Sequence, residues 1–404
     1  WSSVVREDPT ARVVKGQMLV ALKDAQNAAR ARWKARFVAI GCAIRGSTGA
    51  KIVENLSSTV PVSLTAVRTG LMWECLCDDG CTLALDVPGA YLLSWLSGPA
   101  TWLEVDRGLR PRNAVWDGLV RPVVRIWRAL YGLPRAGEDW ARTCREKLVA
   151  HGYKWVKDVA EESLFVREFR HTDMVVLILV YTDDFELSGP RQETIMVHQH
   201  LSVLFGAGQE ASYQLTDFVG IERSLVSVSE SGVKQLYIHQ TKYASFVVNS
   251  YQDEYCGGKE LRSISTPCPC AELKEPPEPI ATIPWIGAKG APSLVGKLFW
   301  LARGTRPDLS VVCQKIARRV ADWRRTDDAI VHRAMRYLKG SASLGLLFRG
   351  CPAESGSYIL AIWADSDHAG ELSDARSTTG CAVLAQAPRT WCLLDWFCKR
   401  QGAS

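Results

Sequence analysis

Two adjacent carboxylates, Asp183 and Asp184, closely follow a run of apolar residues that covers positions 175–180. The run has no alternation of apolar and polar residues, so it predicts a strand that is buried on both faces. Neighbouring side chains on a strand point to opposite faces, so one carboxylate can face a cleft while the other turns away. Asp is also common in ordinary turns, so the pair by itself is consistent with a turn that has no catalytic role.

A third carboxylate, Asp86, ends a second short apolar run that begins at Leu83. Two strands that each deliver an acid at one end can hold a pair of Mg²⁺ ions, because this cation prefers oxygen ligands. Two such ions can activate an attacking hydroxyl and stabilise a leaving pyrophosphate in phosphoryl transfer. The three acids therefore predict a two-metal site, provided that the fold brings them together.

The two acidic segments, DVPGAY at residues 86–91 and YTDD at residues 181–184, resemble the palm of a reverse transcriptase of the copia-type LTR-retrotransposon class. Other segments resemble the same family in the same order: KARFVA at 34–39, LYGLPRA at 130–136, FVGIE at 218–222, STP at 265–267, LVGKL at 294–298, TRPD at 305–308, RYLKG at 336–340, ADSDHAG at 364–370 and RSTTG at 376–380. Each segment is weak evidence alone, whereas their common order is specific. The resemblance extends from about residue 30 to the end of the chain.

This resemblance implies an α+β right-hand polymerase fold, with fingers, a ferredoxin-like palm and a thumb, then a helical connection and a truncated RNase H-like α/β segment. The expected boundaries are 1–250 for the fingers, palm and thumb, 251–292 for a Pro-rich linker, 293–350 for the helical connection and 351–404 for the partial RNase H-like domain. The density of Pro within 251–292 independently disfavours long helices there.

The implied activity is RNA-directed DNA polymerisation, with dNTPs and an RNA or DNA template carrying a primer as partners. By resemblance, Asp86, Asp183 and Asp184 are the catalytic residues and the ligands of two Mg²⁺ ions, with Mn²⁺ as a substitute. The same family places a basic residue of the fingers strand on the incoming triphosphate, which favours Arg36, with Lys34 as second choice. A guanidinium suits bidentate contact with phosphate.

Tyr91 resembles the aromatic residue that lies under the sugar and excludes a 2′-hydroxyl. Arg135 stands where the family usually has a nucleotide-contacting Gln; it could still hold a phosphate, but the departure reduces the expectation of full polymerase activity. Asp365 resembles the first metal-binding acid of RNase H. The chain stops at Ser404 before the family's next acidic motif, so no RNase H activity is expected from it.

Several elements must position these residues. A strand is expected over residues 33–44, helices over 61–77, 138–151 and 191–205, and a β-hairpin around Asp183 that presents the acids. Thr182, a β-branched residue, suits a strand in that hairpin. Residues 1–33 are mixed and partly helical, and helices are expected again over 240–249, 293–303, 309–323 and 327–339. Asp308 is a plausible partner for the N-terminus of the 309–323 helix.

The net charge of +6 is unevenly spread, since residues 1–52 and 297–340 are each strongly basic and the centre is more acidic. This pattern fits a protein that binds a phosphate backbone, although basic helices are also ordinary solvated surface.

The longest apolar run is too short to span a bilayer, and no signal-peptide pattern opens the chain. An intracellular location is expected, and the family resemblance implies the cytoplasm within a virus-like particle, with the nucleus as a second site.

The thirteen Cys residues predict reduced thiols rather than a disulfide framework. The spacing of Cys75, Cys77 and Cys81, and of Cys268 and Cys270, leaves zinc as a minor alternative to buried thiols.

Two other functions remain open. One is a decayed element copy that only binds nucleic acid, and the other is a nucleotidyl cyclase, which also uses a two-metal palm. The chain is also a candidate part of a longer Pol polyprotein.

Overall fold

The structure of the protein is a computed structural model. It describes residues 1–23, 32–54, 62–157, 162–169, 174–207, 217–268, 279–367 and 376–402. The fold mixes α-helices with three separate β-sheets, which agrees with the α+β class expected from the sequence. In the described part of the chain, no helix is both long and apolar enough to cross a membrane.

The helices are α1 (Ser2–Glu7), α2 (Leu64–Leu76), α3 (Ala114–Asp117), α4 (Ala136–Ala150), α5 (Arg191–Phe205), α6 (Thr241–Tyr255), α7 (Gly287–Gly304), α8 (Ser310–Ala317) and α9 (Arg325–Gly340). The strands are β1 (Arg12–Lys23), β2 (Arg32–Ala39), β3 (Gly80–Asp86), β4 (Thr101–Glu104), β5 (Val123–Ile126), β6 (Lys154–Trp155), β7 (Leu164–Glu168), β8 (Val175–Tyr181), β9 (Asp184–Pro190), β10 (Asp217–Phe218), β11 (Ile221–Val228), β12 (Lys234–His239), β13 (Gly345–Gly350), β14 (Ile359–Ser366), β15 (Thr378–Gln386) and β16 (Trp391–Arg400).

A five-stranded antiparallel sheet has the strand order β3-β9-β8-β7-β6. The apolar run of β8 is covered on both sides, as expected from the sequence. Val176 and Ile178 pack with residues of α4 and α5, whereas Leu179 packs with residues of α2. All three side chains are fully buried, which fixes the strand and therefore the turn that follows it.

Helix α2 joins this sheet to a seven-stranded sheet in the order β10-β11-β12-β13-β16-β15-β14. Arg68 of α2 is fully buried, and its Nε donates to the Leu394 carbonyl at 2.5 Å. Its Nη1 donates at 2.9 Å to the carbonyls of Arg303 and Gly304. A buried guanidinium with such partners ties the two sheets to the end of α7.

A four-stranded sheet in the order β2-β1-β4-β5 carries the basic strand β2. Strands β1 and β4 run parallel, whereas the other two pairs are antiparallel. Its small core holds Val14, Ala39 and Ile44, together with Ala129 and Leu133 from the segment that precedes α4. This core connects the basic strand to the rest of the molecule.

Helices α6, α7, α8 and α9 share a separate apolar core with Val247, Leu298, Ile316 and Met335 at its centre. All four side chains are essentially inaccessible to solvent. The helices therefore form one packed unit, which also includes residues before α7.

Some local predictions are wrong. The helix expected over 309–323 ends at Ala317. A turn at 318–319 and a 3₁₀ helix (Val320–Asp322) follow, and the chain is extended at Trp323 and Arg324 before α9. Asp308 does not cap that helix; its carboxylate instead accepts hydrogen bonds from Arg306 and Tyr337. Helix α7 begins six residues before the expected start at 293.

Strand β1 was not foreseen in a region expected to be mixed and partly helical. Parts of the Pro-rich segment lie outside the described residues. The division into domains at 250, 292 and 350 stays a prediction. One sheet contains strands from residues 217–239 and from residues 345–400.

Candidate functional site

The turn between β8 and β9 presents the acidic pair. Tyr181 pairs with Asp184, so Thr182 and Asp183 form a two-residue loop. Thr182 has a positive φ of 57°, which is strained for a β-branched residue and corrects the expectation that it suits a strand. The indole Nε1 of Trp140 donates to the Thr182 carbonyl at 2.6 Å and holds this turn against α4.

The structure brings the three predicted acids together. Asp86, the last residue of β3, is directly opposite Asp184, the first residue of β9. The Val87 amide donates to the Asp183 carbonyl at 2.8 Å. The contact between the two segments therefore continues one residue beyond the paired strands β3 and β9. Directly opposite residues of an antiparallel pair have Cα atoms only about 4.5–5.5 Å apart. Asp86 and Asp184 are exposed and Asp183 is half-buried, so the cluster opens to solvent.

The donor chemistry of this cluster suits a hard divalent cation, because it offers carboxylate oxygens that solvent can reach. Within the described ranges, no three His, Cys, Asp or Glu side chains are grouped closely enough to hold a metal ion. Mg²⁺ usually needs only one or two carboxylates, since waters and substrate phosphates complete its octahedral shell. The three acids thus fit Mg²⁺ or Mn²⁺ in donor type.

Two tyrosines form an aromatic wall beside the acids. Tyr91 lies in a 3₁₀ turn (Ala90–Leu93), with its ring centroid 4.8 Å from that of Tyr131. Burial raises the pKa of Tyr91, and the negative charge of Asp183 raises it further against a hydrogen bond with Thr182. Burial also raises the pKa of Tyr131, with Asp183 as the next cause. The reasoning from sequence gave Tyr131 no role, although it lies inside the recognised LYGLPRA segment.

The basic strand β2 reaches the same region. Arg36 is exposed and Lys34 is half-buried, and their two-residue spacing puts both on one face of the strand. Arg36 lowers the pKa of Tyr131, which places its positive charge within electrostatic reach of the aromatic wall.

The end of β2 is fixed to the segment that carries Tyr131. The Ala39 amide donates to the Tyr131 carbonyl at 2.7 Å. The next residue, Gly132, has a φ of +87°, and a Cβ there would come within 2.1 Å of the Ala39 carbonyl oxygen. Only Gly allows this close approach.

Arg135 has other partners. Its side chain is largely buried and donates to the Ser97 carbonyl and, at 2.8 Å, to the Thr101 hydroxyl. Its Nε lies 3.3 Å from Glu54, and burial lowers its pKa despite that carboxylate. These contacts fasten the start of α4 to the turn before β4. A phosphate contact for Arg135 stays a prediction.

A buried polar layer continues from the acids into the interior. Ser188, Glu186 and Asp184 alternate along β9 and therefore share one face, opposite Thr82, Ala84 and Asp86 of β3. Glu186 is fully buried, and desolvation raises its pKa to about 8, with Glu74 adding to the rise and Arg223 opposing it. Glu74 itself accepts from Thr82 at 2.7 Å and pairs with Arg223. Sequence reasoning missed this layer, although Glu186 and Ser188 interrupt an otherwise apolar strand.

Asp365 lies on the edge strand β14, far along the chain from the other acids. It is exposed, it is opposite Gly380, and its carboxylate accepts from the Ser366 amide at 2.8 Å. Most of the remainder of its recognised motif, after position 367, lies outside the described residues. Its assignment to RNase H stays a prediction.

The cysteines near α2 are ordinary buried thiols. Burial raises the pKa of Cys75 well above its usual range and that of Cys77 to about 12. Cys81 is also buried with a raised pKa. Such thiols stay protonated at neutral pH, whereas zinc binds the thiolate. The described residues therefore give the zinc alternative no support.

Comparisons with known proteins agree with the segments that surround these acids. Residues 2–261 match the family described as reverse transcriptase (RNA-dependent DNA polymerase). The retrovirus-related Pol polyprotein from transposon RE2 of Arabidopsis thaliana is 24% identical over 97% of the chain and 24% of its own length. That from transposon TNT 1-94 of Nicotiana tabacum is 23% identical over 91% of the chain and 26% of its own length. An uncharacterized mitochondrial protein of A. thaliana, AtMg00810, is 29% identical over 55% of the chain and 83% of its own length. The chain thus spans about a quarter of the two polyproteins.

Proposed function

The chain belongs to the reverse transcriptase (RNA-dependent DNA polymerase) family, of the copia type found in retrotransposon Pol polyproteins, and on this premise we propose that it copies a template into DNA. A primer 3′-hydroxyl attacks the α-phosphate of a dNTP, and pyrophosphate leaves. The observation that carries the proposal is the meeting of Asp86 with Asp183 and Asp184, which stand about a hundred residues apart in sequence.

Each residue of the cluster has a proposed task. Asp86 and Asp183 would be the main carboxylate ligands of two Mg²⁺ ions, with Asp184 in support. Such ions, when bound, would supply Lewis-acid activation of the primer hydroxyl and charge neutralisation at the leaving pyrophosphate. Because Asp86 and Asp184 are exposed and Asp183 is half-buried at a strand end, the cluster is accessible to a bulky primer terminus.

The residues around the acids hold the nucleotide. Arg36, with Lys34 behind it, neutralises the triphosphate from β2. Tyr91 lies against the sugar, where its ring conflicts with a 2′-hydroxyl, and Tyr131 supports that ring. Trp140 holds the carbonyl of Thr182, and Thr182 thereby fixes the position of the next residue, Asp183. In this proposal the sheet of β1, β2, β4 and β5 serves as fingers and the five-stranded sheet as palm.

The assignment of the remaining chain follows from this arrangement as part of the same proposal. Helices α7 to α9 are the connection, and strands β14 to β16 belong to the partial RNase H-like domain. The partners are a primed RNA or DNA template, dNTPs and other parts of a Pol polyprotein. The proposed location is the cytoplasm, within a virus-like particle, with the nucleus as a second site.

A decayed copy that only binds nucleic acid is the second candidate. The observation that favours it is the burial of Arg135, because a side chain bonded to Ser97, Thr101 and Glu54 is not directed at a nucleotide. Against it, all three acids are present, Asp86 is directly opposite Asp184, and the Asp183 carbonyl accepts from Val87, the residue after Asp86.

Primer extension on an RNA template with Mg²⁺ tests the proposal. The wild-type chain should extend the primer, and Asp183→Asn should lower the rate by about 10²- to 10³-fold, because a metal-binding charge is lost at the reacting centre. Asp253→Asn, an exposed acid on α6, is the matched control and should have no effect.

Three outcomes separate the candidates. Extension that depends on Asp183 supports the polymerase. Tight, salt-dependent binding of a primed template without extension supports the decayed copy. Formation of a cyclic nucleotide from a triphosphate, without salt-dependent duplex binding, supports a cyclase.

A further inference from the structure

A cavity of about 690 Å³ opens at one end of the seven-stranded sheet, beside the hairpin between β15 and β16. Its lining includes Arg349 of β13, Ile359 of β14, Gln386 of β15 and Trp391 of β16, with Ser357 and Arg389 at its rim. None of these residues belongs to the acidic cluster or to the aromatic wall. The proposed polymerase reaction leaves this cavity without a task.

The pairing of the strands puts four of these side chains in one row. Arg349 is opposite Trp391, Trp391 is opposite Gln386, and Gln386 is opposite Ile359. Directly opposite residues point to the same face of a sheet, so the row crosses β13, β16, β15 and β14 on one side. Three inter-strand spacings make the row about 14 Å long.

The hairpin that borders the row is held in place. Ala387 and Thr390 exchange backbone hydrogen bonds around the two-residue loop. The Thr390 hydroxyl donates to Glu354 at 2.8 Å and accepts from the Cys351 amide at 3.1 Å. Arg389 pairs with the same Glu354, at 3.4 Å. The cavity wall is therefore built by buried polar contacts.

The row itself has unused binding capacity. Trp391 is 46% exposed, so an aromatic face is available to a ligand. Across the described residues, the side chains of Arg349, Gln386 and Ser357 have no hydrogen-bond or ion-pair partner. By contrast, Arg68 and Arg306 are bonded to several protein groups. An aromatic face, a free guanidinium and a free amide side by side suit an aromatic ligand with an adjacent anion.

We propose that this cavity binds a nucleotide unit of single-stranded nucleic acid. The base stacks on Trp391, Gln386 and Ser357 hydrogen-bond to its edge or sugar, and Arg349 contacts the neighbouring phosphate. The inference rests on the proposed function only in that the strand is one that the polymerase copies. Sequence tolerance is expected, because every base offers a face for stacking.

The cavity lies away from the acids. Gly350, next to Arg349, abuts Cys75 near the end of α2. Lys234, the partner of Gly350 in the sheet, donates from Nζ to the Gly80 carbonyl at 2.5 Å. Gly80 begins β3 and Asp86 ends it, so the two sites are separated by a distance on the order of 20 Å. A strand held here is outside the reacting centre.

Photo-crosslinking tests the site on the full chain. A single-stranded 12-mer carrying 5-iododeoxyuridine is irradiated with the protein, and the adduct is mapped by mass spectrometry. The expected adduct is on the peptide that contains Trp391. It should disappear in Trp391→Ala and persist in Trp391→Phe, which keeps an aromatic face. Trp363→Ala is the matched control, since Trp363 is an exposed indole on the same sheet outside the cavity.

Fluorescence anisotropy with the same 12-mer supplies the affinity. Trp391→Ala should weaken binding about tenfold. Arg349→Gln should make the logarithmic salt dependence shallower by about 0.7, the value for one lost phosphate contact on a single strand. Far-ultraviolet circular dichroism and thermal melting verify that each variant is folded. Arg112→Gln, an exposed arginine elsewhere, should change neither quantity.

The proposal is overturned by the absence of an adduct on the Trp391 peptide, or by 12-mer affinities within twofold of wild type for both variants. The proposal is also overturned if dTMP competes as well as the 12-mer does at the same concentration of nucleotide units, because the site would then bind free mononucleotides. Primer extension is measured separately. A protein that crosslinks at Trp391 but does not extend a primer refutes only the polymerase, and the converse refutes only this site.

Discussion

Charged residues are used in opposite ways in two regions of the molecule. In the helical unit of α6 to α9, Arg306 is almost completely buried and bonds Asp308 and Ser341 through its guanidinium. At the ends of β3 and β9, by contrast, the acids Asp86 and Asp184 are exposed and face each other. Like charges placed side by side are unfavourable, and in the proposed function a bound cation would offset that cost.

The comparison indicates how to assign a role to a charged residue. A charge with internal partners stabilises the fold, and its removal leaves those partners buried and unpaired. A charge without such partners contributes little to stability, and its removal affects binding or catalysis. Arg135 resembles Arg306 in this respect, whereas Arg36 resembles the exposed Asp86.

Arg306→Leu gives the largest expected change in stability. It should lower the free energy of unfolding by about 4 kcal/mol, because Asp308 and the Ser341 carbonyl lose their partner. Urea denaturation followed by circular dichroism measures the change. Lys289→Leu, at an exposed position of α7, is the control. A loss below about 1 kcal/mol would show that the pair at Arg306 is no stronger than a surface ion pair.

Glu186→Gln should stabilise the protein by about 3 kcal/mol at pH 7. The folded protein holds the proton on Glu186 up to a pKa of about 8, whereas the unfolded chain releases it near 4.5. The wild type therefore loses stability as pH rises through that window, and below about pH 4 the difference should vanish.

Urea denaturation at several pH values measures this dependence. Glu146→Gln on the exposed face of α4 serves as the control and should show no pH-dependent gain. A constant difference between Glu186→Gln and wild type from pH 4 to pH 8 would contradict the prediction.

Arg36→Gln and Arg135→Gln sharpen the comparison with the smallest expected effects. Arg135→Gln should destabilise the fold by about 2 kcal/mol, because Glu54 and Thr101 lose a charged partner. Arg36→Gln should leave stability within about 0.5 kcal/mol and lower kcat/KM for the dNTP about tenfold. Thermal melting and steady-state primer extension measure the two quantities. The reverse pattern would exchange the roles assigned to these two arginines.

Much of the local structure was predictable from the sequence. The run 175–180 predicted a strand buried on both faces, and α5 has the bounds expected from its apolar stripe. Local patterns fix such elements because burial is repeated with a regular period. Helix 309–323 was less predictable, because the break after Ala317 depends on where α9 packs. Strand β1 is stabilised mainly by its neighbours β2 and β4, which no local pattern shows.

The order of the recognised segments determined the family, and the residue types at 86, 183 and 184 determined which chemistry was possible. Tertiary structure alone decided that Asp86 and Asp184 are directly opposite, that Arg135 is bonded internally, and that Glu186 lies buried behind the acids. It also aligned Arg349 with Trp391. The physical reason is that the type of a side chain is written locally. Its burial and its partners instead depend on strand pairing between segments that are distant in the chain.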